Sequence, residues 1–352
     1  MAGQANREDC GVSVAIASYN GAAYLPALLR SLEEQTWRPA EIVVADDAST
    51  DDTVAILERF GESSGIPVRV YRQPKNVGII QNFISAFRMA SSPLVAYCDQ
   101  DDVWAPEKIE RCARILADGR AALVRHASMI VDGELNPTGA VSHQEAGDYR
   151  YRFPAVSLNF DGWGHQMVFT RATVETLLAL YECETFRGAE FGTCFDAGLP
   201  FAASFHGDIV LLAEPLVKFR RHAQATSEAG LHWGGGEGMS AKLAHRAQRV
   251  ARRGKALQMA QDIIGACGVA GARDFQRSSA AYEDALRLSR LRQNLIAGDG
   301  VLARAGAFAR VAFATLKRAA VYGDVRLREF VGDALTMLYG AGPRAGAPAR
   351  SS

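Results

Sequence analysis

Four short β-rich runs, VSVAIA at 12–17, IVVA at 42–45, VRVY at 68–71 and LVAYC at 94–98, alternate with amphipathic stretches at 24–35, 53–60 and 79–90. This rhythm restricts the chain to an α/β architecture. Apolar strands joined by helical crossovers pair side by side only when helices cover both faces of the sheet. The expected sheet is Rossmann-like, twisted and mostly parallel. Ligands of such sheets bind outside the carboxyl ends of the strands. Here those ends run into the polar loops SYNG (18–21), DDAST (46–50), QPKNVG (73–78) and DQDD (99–102).

The last of these loops is the most acidic. Asp99, Asp101 and Asp102 fall within four positions and are followed by Val103, Trp104 and Ala105, with Pro106 opening a helix at 107–117. Carboxylates so close raise one another's pKa unless a hard cation such as Mg²⁺ or Mn²⁺, or bound hydroxyls, compensates them. Taken alone, the segment also reads as a solvated Asp-rich turn. Trp104 reads as a packing residue against the loop.

Beyond this loop the pattern predicts a strand at 122–126, a polar excursion at 132–165, a strand at 167–170, helices near 173–181 and 195–204, and an apolar strand at 209–213. GGGEG at 234–238 reads as a hinge, and most of the chain beyond it as helix. Residues 240–264 place Leu243, Ala247, Val250, Leu257 and Ile264 on one face and Lys242, Arg246, Arg249 and Arg253 on another. The expected boundaries are a disordered N-terminus at 1–10, the α/β body at 11–233, a basic helical region at 234–340 and a disordered tail at 341–352.

The net charge of zero hides a division. Residues 1–225 carry 20 Lys/Arg against 29 Asp/Glu, and residues 226–352 carry 19 against 10, so the two parts differ by nine charges of opposite sign from neutrality. A basic region calls for an anionic partner, here an anionic membrane surface touched peripherally or a lipid pyrophosphate. Nucleic acid is not expected, because the arginines are not interleaved with stacking aromatics. The six cysteines (Cys10, Cys98, Cys112, Cys183, Cys194, Cys267) show no CxxC or zinc spacing and read as reduced thiols. With no signal-peptide core and no apolar run long enough to span a bilayer, the expected place is the cytoplasm or the inner face of the plasma membrane.

The order of blocks resembles the family 2 glycosyltransferases of GT-A fold, and within them the bacterial rhamnosyltransferase-like branch. The residues that carry the resemblance are VSVAIASYNGAAYLPALLRSLEEQTW (12–37), EIVVADDASTDDT (41–53), NVGIIQNFISAF (76–87) and LVAYCDQDDVWAPEKI (94–109), joined by GHQMVFTR (164–171) and EPLVKFRRH (214–222). It covers residues 12–225 and does not reach the basic region.

The resemblance implies an inverting, metal-dependent transfer of a sugar, rhamnose from dTDP-rhamnose or the sugar of a UDP-sugar, to a hydroxyl of a lipid-linked or growing cell-surface polysaccharide. It implies nucleotide-sugar contacts at Ala17, Tyr19, Asn20, Asp47, Asn76, Asn82, Asp99, Gln100, Asp102 and Arg220. Asp47 would accept the imide N–H of uracil or thymine, while Asp46 forms an Asx turn. Asp101 and His222 would hold the divalent metal, Mn²⁺ or Mg²⁺, and Asp196 would be the general base. Trp163, His165 and Gln166 would line the acceptor site.

The chain also departs from that branch. Phe195 stands where the branch has His, Ala197-Gly198 where it has a Trp pair, and His165 where it often has Cys; Glu190 is the nearest rival carboxylate to Asp196. A reshaped acceptor pocket is the consequence. A noncatalytic nucleotide-sugar-binding or scaffold subunit is the competing reading, its base lost at 195–198. A sugar-phosphate nucleotidyltransferase fits less well, since SYNGAAY (18–24) has no basic phosphate-loop residue, and a Rossmann oxidoreductase lacks G-x-G-x-x-G after the first strand.

Overall fold

The computed structural model describes residues 10–142, 147–151, 163–189, 192, 194–222, 239–268, 275–298, 301–322, 333–334 and 336–337. The side chains of residues 196, 239–249, 252–253, 301 and 318–322 lie outside that description. The chain divides into two compact units. One comprises Met1–Phe153, Phe160–Thr226 and Cys267–Phe275; the other comprises Pro154–Asn159, Ser227–Ala266 and Gln276–Ser352.

The first unit begins as the alternation predicts: β1 (Val12–Ser18), α1 (Leu25–Glu33), β2 (Glu41–Asp46), α2 (Thr53–Ser64), β3 (Val68–Arg72), α3 (Ile79–Met89) and β4 (Leu94–Asp99). β1 and β2 are buried along almost their whole length, as strands covered on both faces must be. α1 buries Leu25, Leu28, Leu29 and Leu32, the spacing of a single helical stripe. After β5 (Val103–Trp104) come α4 (Lys108–Leu116), β6 (Ala121–Val131), β7 (Pro137–Ser142), β8 (Tyr149–Tyr151), β9 (Met167–Thr170), α5 (Arg171–Glu182), α6 (Glu184–Arg187), α7 (Phe195–Ala203) and β10 (Asp208–Arg220).

The ten-stranded sheet has the order β3-β2-β1-β4-β9-β6-β10-β5, with β7 on β6 and β8 on β10. Its parallel character is confined to β3-β2-β1-β4 and the β6–β10 pair. β9 lies antiparallel between β4 and β6, so the mostly parallel expectation is corrected over the second half of the sheet. β9 follows directly on a one-turn 3₁₀ segment, Gly164–Gln166. The strands expected at 122–126 and 209–213 are also longer than their apolar runs. In β6 the polar Arg125, His126 and Ser128 are buried, which breaks the hydrophobic pattern without ending the strand.

Cys183 is disulfide-bonded to Cys267, with a Cα–Cα distance of 5.7 Å. This corrects the expectation of six reduced thiols. The pair is separated by 84 residues, and spacing carries no signal for a bridge of that length. Cys98 and Cys112 are buried free thiols.

The second unit is helical. α8 (Met239–Cys267), α9 (Phe275–Ala297) and α10 (Val301–Tyr322) contain most of its described residues. Val250, Leu257 and Ile264 are buried, as the apolar face of 240–264 predicts. The side chains of Leu243, Ala247, Lys242, Arg246, Arg249 and Arg253 lie outside the described set, as do GGGEG at 234–238 and both expected disordered termini, apart from Cys10. A buried ion pair, Arg292 Nε to Asp333 Oδ2 at 3.0 Å, lies within this unit. Among the described residues no helix is long and apolar enough to cross a membrane.

Candidate active site

The chain leaves β1 toward β2 on one side and places β4 on the other, so the carboxyl ends of β1 and β4 open a crevice at a topological switch point. Register brings Ala17 opposite Asp99 there. The two loops are then tied together: Tyr19 N donates to Gln100 Oε1 at 2.9 Å, and Gln100 Nε2 donates back to the Tyr19 carbonyl at 3.0 Å. Gly21 leaves room for this approach, since a Cβ there would collide with Gln100 Oε1 unless that side chain shifted. Asn20, at φ 47, donates its backbone N–H to Ser49 Oγ at 2.9 Å, and its side-chain Oδ1 accepts from Thr50 N at 2.9 Å. Tyr19 keeps an exposed ring at the rim, and Asn76 is exposed on the neighbouring loop.

Asp46 and Asp47 have different partners. Asp46 forms the expected turn, accepting Ser49 N at 2.9 Å and Ser18 Oγ at 3.1 Å. Asp47, expected to read the base, accepts Val77 N at 2.6 Å and Gly78 N at 3.0 Å and is 3% exposed. It shapes the 76–78 loop beside the crevice. Asn82 is a correction: 2% exposed, its amide donates to the carbonyls of Ala45 (2.8 Å) and Ser18 (3.3 Å), bracing strand ends rather than facing a ligand.

The acidic loop is assembled by β5. Its antiparallel pairing with Val217 and Lys218 carries the end of β10 back to Asp101 and Asp102. Arg220 N approaches Asp102 Oδ1 at 3.3 Å, while Arg220 Nε donates to the Asp101 carbonyl at 2.9 Å and Nη1 to the Gly133 carbonyl at 2.8 Å. Arg220 is 7% exposed, and its guanidinium clamps the loop through these two carbonyls. Two residues on, His222 Nε2 lies 2.9 Å from Asp101 Oδ2, so the two residues that the resemblance assigns to a metal stand in contact. Its Nδ1 lies 3.0 Å from Tyr24 Oη, and the two rings stack at 4.4 Å.

On the other side of Asp99 stands His165. Gly164 presses against Tyr97, where a Cβ would meet ring carbons at 2.7 Å, and this close approach delivers the next residue to the loop. His165 Nδ1 lies 3.6 Å from Asp99 Oδ2 and 3.9 Å from Asp102 Oδ2, and its Nε2 is 2.9 Å from Ser128 Oγ. One ligand atom from each of Asp99, Asp102 and His165 falls within 4.8 Å of the others. His165 and Gln166, expected to line the acceptor site, are 1% and 0% exposed. The Gln166 amide engages Ser128, Ser142 and the Trp163 N–H, so Gln166 braces the interior, while His165 turns Nδ1 toward Asp99 and Asp102. Trp163 is half-buried, with its ring 4.8 Å from Phe219.

Burial dominates the electrostatics. It raises Asp99 to about 6, against the Lys108 charge and a Tyr97 hydrogen bond that hold it down. It raises Asp101 and Asp102 as well, helped in each case by the neighbouring carboxylates. Asp102 is wholly buried, and among the described residues its Oδ2 meets no hydrogen-bond partner. Burial pushes His165 down to about 3, so its imidazole is neutral.

Lys108 supplies an internal counter-charge that the motifs do not reveal. It is 0% exposed, donates to the His165 carbonyl at 2.9 Å and lies 3.5 Å from the centre of the buried Trp104 ring. Its signal in the sequence is a lysine one turn before Cys112 on the apolar side of α4. Tyr24 is equally hidden, since an aromatic residue at a helix start reads as core.

The expected base, Asp196, lies in the first turn of α7, and its side chain is outside the described residues, as is Glu190. Its neighbour Phe195 is 4% exposed and packs among Phe83, Phe87 and Tyr97 at 5.7, 5.4 and 6.1 Å. The departure at 195 is thus a core substitution.

Residues 13–178 match the family model described as glycosyl transferase family 2. Over 122 residues the chain is 34% identical to an uncharacterized glycosyltransferase of Nostoc sp., a stretch covering 35% of this chain and 38% of that protein. Over 98 residues it is 34% identical to the Escherichia coli UDP-Glc:alpha-D-GlcNAc-diphosphoundecaprenol beta-1,3-glucosyltransferase WfaP, covering 28% of this chain and 38% of the relative. The chain therefore spans under half the length of these two relatives. The crystal structure of S. aureus TarS 1-349 shares the fold, with a TM-score of 0.53 at 16% identity over 93% of this chain and 90% of that one.

Proposed function

Because residues 13–178 belong to glycosyl transferase family 2, we propose that the protein moves one sugar from a nucleoside-diphosphate sugar to a hydroxyl of a polysaccharide or lipid-linked acceptor, with inversion and with a divalent cation. The observation that carries this reading is the convergence of Asp99, Asp101, Asp102, His165 and His222 at the β1/β4 crevice. The name of WfaP gives a precedent for a UDP-sugar donor and a diphosphoundecaprenol-linked acceptor. Transfer of rhamnose from dTDP-rhamnose is the narrower form suggested by the branch resemblance.

A cation fits these residues. Asp102 Oδ2 is buried without a hydrogen-bond partner among the described residues, and three raised carboxyls with two imidazoles form an oxygen-rich donor set suited to Mn²⁺ or Mg²⁺. Asp101 with His222, and Asp99 with Asp102 and His165, would hold it. When bound, it supplies Lewis-acid stabilisation to the leaving diphosphate. The chain's own residues do the rest. Tyr19 offers a ring at the nucleotide edge, Asp47 and Gln100 fix the loops that receive it, and Asp196 takes the proton of the attacking hydroxyl.

The test is incubation of the full chain with UDP- and dTDP-sugars, Mn²⁺ and lipid-linked or polysaccharide acceptors. A glycosylated product of inverted anomeric configuration is expected. Donor binding without turnover across the whole panel would point instead to a nucleotide-sugar-binding subunit.

Tyr24 positions His222 in this account. A hydroxyl both donates and accepts, so it can hold Nδ1 whichever ring nitrogen carries the proton. Tyr24→Phe keeps the stacked ring and is expected to weaken Mn²⁺ binding roughly tenfold, read from the free-Mn²⁺ resonance signal. Unchanged Mn²⁺ affinity would remove Tyr24 from the site.

The raised carboxyls also set a pH dependence. The folded value of Asp99, about 6, exceeds the ordinary 3.8. Its contribution to the stability of the cation-free protein is therefore full below the unfolded value and lost as pH rises through about 6. The cation replaces protons there, so Mn²⁺ is expected to raise the melting temperature more at about pH 7.5 than at about pH 5. An equal rise at both would contradict a carboxylate-bound cation.

A further inference from the structure

Helix α10 buries one side and leaves the other bare. Ala307, Val311 and Thr315 are buried, and Ala307 and Val311 join Leu288 and Leu295 of α9 in one apolar cluster. On the opposite side Leu302 is 89% exposed, Phe313 73% and Leu316 66%. At 100° per residue, positions 302, 309, 313 and 316 fall within one narrow stripe. Ala309 is the remaining member of that stripe and is also exposed. A soluble helix surface rarely presents two leucines and a phenylalanine in line, and such stripes mark a contact.

Charge selects the partner. Arg310 and Lys317 are exposed along one flank of the stripe, and residues 226–352 carry 19 Lys/Arg against 10 Asp/Glu. A second copy docked on this face would bring like charges together, whereas an anionic lipid bilayer accepts both the apolar side chains and the cations. The helix is not apolar enough to span, so it would lie in the plane of the interface.

We propose that the exposed stripe of α10, centred on Phe313 and Leu316 and flanked by Arg310 and Lys317, inserts into the surface of an anionic membrane. The contact is independent of the sugar-transfer reading: it concerns the second unit alone and would stand if the first unit turned over no donor. It is also distinct from the basic face of residues 240–264, which belongs to a different helix.

The test uses the full chain and vesicles of phosphatidylglycerol with phosphatidylethanolamine, against vesicles of phosphatidylcholine alone. Wild-type protein is expected to sediment with the anionic vesicles. The double variant Phe313→Ser/Leu316→Ser is expected to lose roughly tenfold or more in vesicle affinity, since two large apolar side chains leave the interface. Arg310→Glu/Lys317→Glu is expected to bind weakly to anionic vesicles and no worse than wild type to neutral ones. All four positions are exposed, so a thermal melt matching wild type shows that the variants are folded. Equal sedimentation of wild type and the serine variant would overturn the proposal. So would a concentration-dependent dimer that the serine substitutions abolish, because the stripe would then be covered by a second copy.

Discussion

Asp101→Asn is expected to lower nucleoside-diphosphate release by roughly 10²–10³-fold at saturating donor and Mn²⁺, the scale of losing one element of leaving-group stabilisation. Asp101 is the carboxylate that His222 meets at 2.9 Å, and its backbone is fixed by the Arg220 guanidinium through the Asp101 carbonyl. The substitution keeps shape and removes charge. It leaves the Arg220 and β5–β10 contacts in place, because they use main-chain atoms of the loop and the Asp102 side chain. Removing Mn²⁺ with a chelator should reproduce the loss in wild type and add little to the variant. A variant that retains wild-type turnover would place the cation, if any, wholly on Asp99, Asp102 and His165.

Asp196→Asn is expected to cost roughly 10²–10⁴-fold in transfer to acceptor, the range of a positioned general base. The same variant should retain wild-type affinity for UDP and Mn²⁺, since residue 196 lies in α7 and the acidic loop follows β4. The first turn of α7 is anchored by Phe195, which is held among Phe83, Phe87, Tyr97 and Tyr181. That packing gives residue 196 a fixed start without the imidazole the branch resemblance leads one to expect at 195. Retained transfer by Asp196→Asn, with loss in Glu190→Gln, would move the base to Glu190. Loss of transfer together with loss of UDP binding would show that the substitution disturbs the donor site instead.

The first half of the sheet was legible because its strands are short β-rich runs ended by polar loops, apolar throughout most of β1, β2 and β4 and alternating in the edge strand β3, and all four match those runs within a residue or two. The acidic loop was legible for the same reason, three charges at the end of a buried strand. The association of Asp101 with His222 came from resemblance; its physical cause, the two-residue strand β5 folding β10 back onto the loop, is too short to show in any periodicity. Asn82, His165 and Gln166 look like ligand contacts in sequence because they are polar residues in motif-like segments. All three are buried: the Asn82 amide is directed at main chain and the Gln166 amide at interior hydroxyls, while His165 sets Nε2 on Ser128 and Nδ1 toward Asp99 and Asp102. Lys108 was hidden in the opposite way. A lysine on the buried face of a helix reads as an irregularity until the carboxylates it faces are in view. The Cys183–Cys267 bridge joins segments with no shared pattern, so nothing local announces it.

The central claim is that the loop after β4 binds a divalent cation that in turn holds the donor diphosphate. Calorimetric titration of UDP into the full chain, once with Mn²⁺ and once with a chelator, tests it most directly. UDP affinity is expected to be at least about tenfold higher with Mn²⁺ in wild type, and that gain should vanish in Asp101→Asn. Equal UDP affinity with Mn²⁺ and with chelator, in a wild-type protein that still binds UDP, would contradict it.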